Sequence, residues 1–253
     1  MTTLADVRRL DSVQNQIIGS ATSGLGGIFR RLDLSRPEQA RDSLLDVYPA
    51  LIDRHGDASA TAAAEWYEVQ RSNQRGGTYS AALAAGVALE RSQGTVRWAA
   101  DALFGDNPAG MLDLLEGSMI RSLGDMSRDT IVENFRQDRQ AVGWQRLVHP
   151  DSDCDFCIML SQRGAVYKRG TATFASHDNC RCRAAPTWDP SAPEVDVEAY
   201  EASERMESVR RRAGDPNLSA SDRAQAQRIL DRHRENIRTW IGDAKYRYPG
   251  MFD

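Results

Sequence analysis

The chain has 253 residues, 41% of them hydrophobic and 27% charged, a net charge of −4 and four cysteines. That length buries a real core without a disulfide scaffold, and the charge and negative mean hydropathy describe a soluble globular protein. No run approaches the roughly 18–20 apolar residues of a membrane span. The first residues, MTTLADVRRLDSVQ, lack the apolar stretch of a secretory signal, so a cytoplasmic start is expected. Mild acidity also excludes a dedicated, overall basic nucleic-acid binder.

In chain order, residues 1–143 read as a helical domain. Leu4, Val7, Leu10, Val13 and Ile17 fall on one helix face, and Gly19, Gly24, Gly26 and Gly27 predict a break. Ser35 with Glu38 predicts a capping box, Pro37 a first turn, Pro49 a kink, and Gly56 a C-cap. An alanine-rich helix is expected over Ala58–Gln74, closed by Gly76-Gly77, then weaker helices over Ala81–Arg91 and Thr95–Phe104. Asn107-Pro108 starts another helix through Leu123, and a last one is expected from Ser127.

The pattern changes at Trp144. Residues 144–190 predict a small α+β module, with strands at Trp144–Val148 and Ala165–Tyr167. Residues 191–218 read as a proline-rich, acidic linker or strap, and 219–253 as a C-terminal helix with a tail bearing Tyr246, Tyr248, Met251 and Phe252. The fold class expected is therefore mainly α: a helical N-terminal domain, a small α+β zinc-knuckle module and a C-terminal helix.

All four cysteines lie between Cys154 and Cys182. C-x2-C at Cys154 and Cys157 is followed by H-x2-C-x-C at His177, Cys180 and Cys182, which is metal-ligand spacing. A tetrahedral zinc needs four donors, and here there are five. Cys154, Cys157, His177 and Cys180 form the first set, Cys182 keeps an all-cysteine site open, and His149 is more distant. Four thiolate or imidazole ligands close the shell, so a structural zinc is expected ahead of packed thiols, disulfides or catalysis. Arg163, Lys168, Arg169, Arg181 and Arg183 read either as surface charge around the thiolates or as a basic rim for phosphates or a partner.

The string from Trp144 to Trp188, with C-D-F-C, R-G-x-V-Y and H-D-N-C-R-C-x-x-x-P, resembles the cysteine-histidine segment of phage Mu F-like minor head proteins, in the version from tailed phages of actinobacteria. Thirty of the 32 basic residues are arginine, which agrees with a GC-rich host. The resemblance implies a virion protein made in the host cytoplasm and placed in the head interior or at the portal vertex. It also implies partnership with portal or major capsid protein and a part in head assembly, DNA packaging or ejection. Such proteins are often labelled capsid maturation proteases, and protease action on scaffold or capsid is the alternative function. No G-x-S-x-G elbow or H-E-x-x-H motif accompanies it, and no catalytic residue is assigned. A third reading is a zinc-dependent virion protein in local contact with packaged DNA.

Overall fold

Buried residues at Val7, Leu10, Gln14, Ile18, Ala21, Leu25 and Phe29 recur every three or four positions and make one continuous stripe on α1 (Leu4–Phe29). The stripe outweighs the cost of glycine in a helix, about 1 kcal/mol each, so the predicted glycine break does not occur. It passes through Gln14 rather than Val13. Gln14 is buried because its amide donates to the Ser59 carbonyl at 2.9 Å and its carbonyl meets the Ser59 hydroxyl at 2.6 Å. This computed structural model describes residues 2, 4–148, 154–161, 174, 176–191 and 201–247.

Helix α2 (Pro37–Arg75) runs through both Pro49 and Gly56. Leu44, Tyr48, Ile52, Ala60, Ala63 and Tyr67 are buried along its whole length, and that burial holds the helix together across the missing N–H of Pro49. Gly56 is a packing glycine: a Cβ there would stand 3.4 Å from Met126 Cγ. The predicted capping box is absent, because the Ser35 hydroxyl donates to Asp33 Oδ1 at 2.6 Å instead.

Gly76 and Gly77, with φ of 69° and 71°, turn the chain into an extended strap where a helix from Ala81 was expected. Side chains satisfy its backbone. Ala81 N–H donates to Glu68, Ala82 N–H to Asn134 and Ala84 N–H to Thr130, at 2.8, 2.8 and 3.1 Å. Helix α3 (Leu89–Ala99) and a 3-10 turn at Ala100–Phe104 lead to α4 (Gly110–Gln137), which is unbroken at Ser127. Ser127 is fully buried within a stripe that continues from Met119 to Phe135.

Strand β1 (Gly143–Leu147) appears where expected and pairs antiparallel with β2 (Arg183–Thr187), Gly143 opposite Thr187 and Leu147 opposite Arg183. The helix α5 (Asp155–Ser161) lies between them in sequence. One core cluster joins Val7 and Leu10 of α1, Trp66 and Tyr67 of α2, Ile131 and Phe135 of α4, and Trp144, Cys157, Phe174, Cys180, Cys182 and Trp188. The cysteine segment is thus built into the wall of the helical body. A second cluster, around Leu25, Leu44, Ile52, Val96, Met111 and Leu123, fills the other end.

Within the stretch read as a linker, Glu201–Gly214 forms a helix, α6, and α7 (Ala220–Arg247) folds back on it. The charged segment becomes helical because Val209 and Ala213 find Ala226 and Leu230 to pack against. Asp222 N–H donates to Ser219 Oγ at 3.1 Å and caps α7. Ile241 packs with Met159 and Leu160 of α5. The strand expected at Ala165–Tyr167 and the tail residues Tyr248, Met251 and Phe252 lie outside the described residues. The fold is mainly α with one small sheet, and among the described residues no helix is long and apolar enough to cross a membrane.

Candidate metal centre

Two pieces of chain bring the donors together. Cys154 immediately precedes α5 and Cys157 lies in its first turn, so a spacing of three puts both sulfurs on one side of the helix. Cys157 is fully buried and Cys154 half-buried. The second piece is a turn at His177–Cys182. Cys180 N–H donates to the His177 carbonyl at 3.0 Å, and Asn179 takes a left-handed φ of 64°, which asparagine tolerates.

Helix α4 holds this turn along one face. Asn179 N–H donates to the Gly117 carbonyl at 3.1 Å, and a Cβ on Gly117 would stand 3.1 Å from Asn179 Nδ2. Arg121 pairs with Asp178 at 3.1 Å, and Ser176 donates to Asp125 at 3.0 Å. Arg128, fully buried, donates to the carbonyls of Cys180 and Cys182 at 3.3 and 3.0 Å and pairs with Asp125 at 2.7 Å. Its guanidinium folds back where Gly124 has no side chain: a Cβ there would lie 2.7 Å from Arg128 Nη1.

The donor atoms form two groups, Cys154–Cys157–His177 and Cys157–Cys180–Cys182, each within 4.8 Å and sharing Cys157. All four cysteines are free thiols. Zinc bonds of about 2.3 Å to sulfur and about 2.0 Å to nitrogen imply ligand separations of about 3.8 Å for S···S and about 3.5 Å for S···N. Cys157 Sγ stands 3.9 Å from Cys180 Sγ and 3.5 Å from His177 Nε2, while Cys154 Sγ is 3.1 Å from the same nitrogen. His177 Nδ1–H donates to the Asp178 carbonyl at 2.7 Å, which fixes the tautomer and leaves Nε2 facing the sulfurs. Within each triad the spacings fit three corners of a tetrahedral thiolate–imidazole zinc site, and the two triads share Cys157.

The electrostatics favour the same chemistry. The Cys157 thiol donates to Cys154, and with His177 beside it this holds the Cys154 thiol down at about 4. His177 is raised to about 9, because contact with that thiolate outweighs burial. Cys157, between Cys154 and Cys180, is pushed up, and Cys180 is held down by the hydrogen bonds it accepts. Arg146, 2% exposed, donates to Cys157 Sγ at 3.4 Å and lies 3.8 Å over the Phe174 ring. A dication would displace the protons this cluster shares.

The five cysteine and histidine donors expected from sequence therefore converge. The arginines do not behave as a set. Arg181 is exposed beside the centre. Arg183 is only 3% exposed and pairs with Asp11 of α1 at 2.9 Å, so it is a core ion pair and not part of a phosphate rim. Arg163, Lys168, Arg169 and His149 lie outside the described residues. Sequence reasoning missed Gly117, Gly124, Arg128, Arg146 and Asn179. Arg121, Asp125 and Arg128, spaced by four and three within a largely apolar helix, were the available signal for a polar contact face.

The family described as VG15 protein, a family of phage proteins, matches residues 1–206. The chain belongs to that family. The match spans α1 to α5, both strands and every donor of the cluster, and it ends within α6, so α7 lies beyond the part shared with the VG15 family. No curated protein and no solved structure matches the chain.

Proposed function

We propose that this phage protein is a minor head protein of the virion, in which a structural zinc centre stiffens a surface that assembles with portal or capsid protein during head assembly, DNA packaging or ejection. The observation that carries this reading is the gathering of Cys154, Cys157, His177, Cys180 and Cys182 into two donor triads that share the buried Cys157. Five thiol or imidazole donors around Cys157 would be enough to close the shell of a dication with protein, which is the pattern of a structural site. Both nitrogens of His177 are engaged, one by sulfur and one by the Asp178 carbonyl, so it is not placed as a proteolytic base. The C-D-F-C and H-D-N-C-R-C strings, within the matched region, support the minor head type over other phage proteins.

Metal analysis of the purified chain and co-expression with the phage's portal and capsid proteins test this together. The expected result is one zinc per chain, association with portal-containing particles, and loss of that association in Cys157→Ser. A metal-free protein whose Cys157→Ser variant still enters particles would overturn the reading. Mass spectrometry of the capsid N-terminus checks the protease alternative: cleavage that depends on this protein would replace the assembly role with an enzymatic one.

A further inference from the structure

The C-terminal hairpin carries the opposite charge to the rest of the chain. Residues 201–247 hold eleven lysines and arginines against eight carboxylates, a net +3 within a chain of −4, so the remainder is −7. Among the described residues three ion pairs involve the hairpin. Asp231 takes Arg234 at 3.4 Å, Glu235 takes Arg238 at 3.7 Å, and Lys245 reaches Asp155 at 2.7 Å. Arg210, Arg211, Arg212, Arg228 and Arg232 are exposed and have no carboxylate partner among the described residues.

Packing decides where those charges point. Ala226 and Leu230 face Val209, which assigns the inner side of α7. At about 3.6 residues per turn the opposite side carries Gln225, Arg228, Arg232, Glu235, Thr239 and Tyr246. All six are exposed, Tyr246 by 89%. Glu235, within this face, is held by Arg238. Arg210 sits close enough to His233 for their charges to interact, which places the Arg210–Arg212 run beside the middle of α7.

We propose that this hairpin is a contact surface for duplex DNA. Arg228, Arg232 and the arginine run at the end of α6 neutralise phosphates, and the hydroxyl and amide groups between them donate to phosphate oxygens, a set of contacts that reads no base sequence. Among the described side chains of the hairpin Tyr246 is the one exposed aromatic ring, whereas single-strand binders stack successive bases on several rings, so a duplex fits better. The acidic body repels the polyanion and confines contact to the hairpin. The inference does not rest on the minor head reading, since it uses only the charge and packing of α6 and α7.

Fluorescence anisotropy of a short labelled DNA duplex with the zinc-loaded full chain, across a salt series, provides the test. Binding in the range of about 10⁻⁴–10⁻⁶ M is expected, with affinity falling by about 0.9 log units per log unit of salt for each phosphate contacted. R228Q/R232Q should weaken binding about tenfold and flatten the slope by about 2, with helicity retained because glutamine is a good helix former. R228K/R232K should bind nearly as well as the parent. R8Q/R9Q, the same loss of charge on the exposed side of α1, should leave binding unchanged. Absence of salt-dependent binding, equal weakening by R8Q/R9Q, or tighter binding of a single-stranded competitor would each overturn the proposal.

Discussion

The His177–Cys182 turn and the Cys154–Cys157 helix deliver donors to the same cluster by different means. The turn is held from outside by α4, through Gly117, Arg121, Asp125 and Arg128, and each contact involves a backbone group or a charge. Helix α5 is short and is seated mainly by apolar side chains, with Ile241 of α7 packed against Met159 and Leu160. Its principal tie to the turn is the cluster itself, Cys154 and Cys157 against His177 and Cys180. One half of the site is therefore pre-placed by directional contacts, and a metal would fasten the other half to it. The C-terminal hairpin, which meets α5 through Ile241 and Lys245, would be fastened by the same event.

Removing the donor common to both groups should have the largest effect. Cys157→Ser is expected to abolish zinc binding and to cost about 5 kcal/mol, part of the roughly 10–16 kcal/mol a structural zinc supplies in small fingers, because the helical core survives. That corresponds to a fall of about 10–20 °C in Tm, measured by a thermal melt alongside metal analysis. A small change would mean that the two halves hold each other without metal.

Arg128→Met tests the pre-placed half. It leaves the carbonyls of Cys180 and Cys182 without their buried donor, and about 3 kcal/mol should be lost in urea unfolding. Zinc should still bind, about 10- to 100-fold more weakly by chelator competition, since the turn no longer waits in position. Unchanged affinity would place the ordering of the turn in the metal instead of α4.

Proton counting sharpens the comparison further. At pH 7.5 His177, raised to about 9, and the buried Cys157 thiol both carry protons, whereas Cys154, lowered to about 4, does not. Zinc binding should then release about two protons, read by titration calorimetry in buffers of different ionisation enthalpy, and the count should fall by about one as pH rises past 9. In the metal-free chain the raised His177 stabilises the fold below its ordinary value and loses that contribution as pH rises through about 9. The lowered Cys154 stabilises above its ordinary value and loses its contribution as pH falls through about 4.

The smallest effect belongs to the surface tie between α5 and the hairpin. Lys245 and Asp155, 2.7 Å apart but 47% and 39% exposed, should contribute about 0–1 kcal/mol. Lys245→Gln is expected to leave Tm and zinc content nearly unchanged. A large drop would show that the hairpin, and not the metal, seats α5.

The cluster was legible because ligand-type spacing is local: C-x2-C and H-x2-C-x-C each bring their side chains together whatever surrounds them. Helix after helix and the strand at Trp144 were legible for the same reason, since periodic burial is a local pattern. Breaks were not. Gly19, Pro49, Gly56 and Ser127 carry unfavourable or neutral helix propensities of about 1–3 kcal/mol at most, and burial along a whole helix outweighs them. Conversely, the strap after Gly77 has helix-forming alanines, yet Asn134, Thr130 and Glu68, distant in sequence, satisfy its backbone in an extended form.

From sequence alone the chain was determined to be mainly helical, with five candidate metal donors in one segment. Tertiary structure decided that Arg183 belongs to the core with Asp11, that Arg128 anchors the turn, and that the hairpin presents its arginines outward. The physical reason is the same in each case. An arginine's long side chain can face solvent, a carboxylate or a carbonyl with equal local ease, and only the neighbours brought by the fold choose among them.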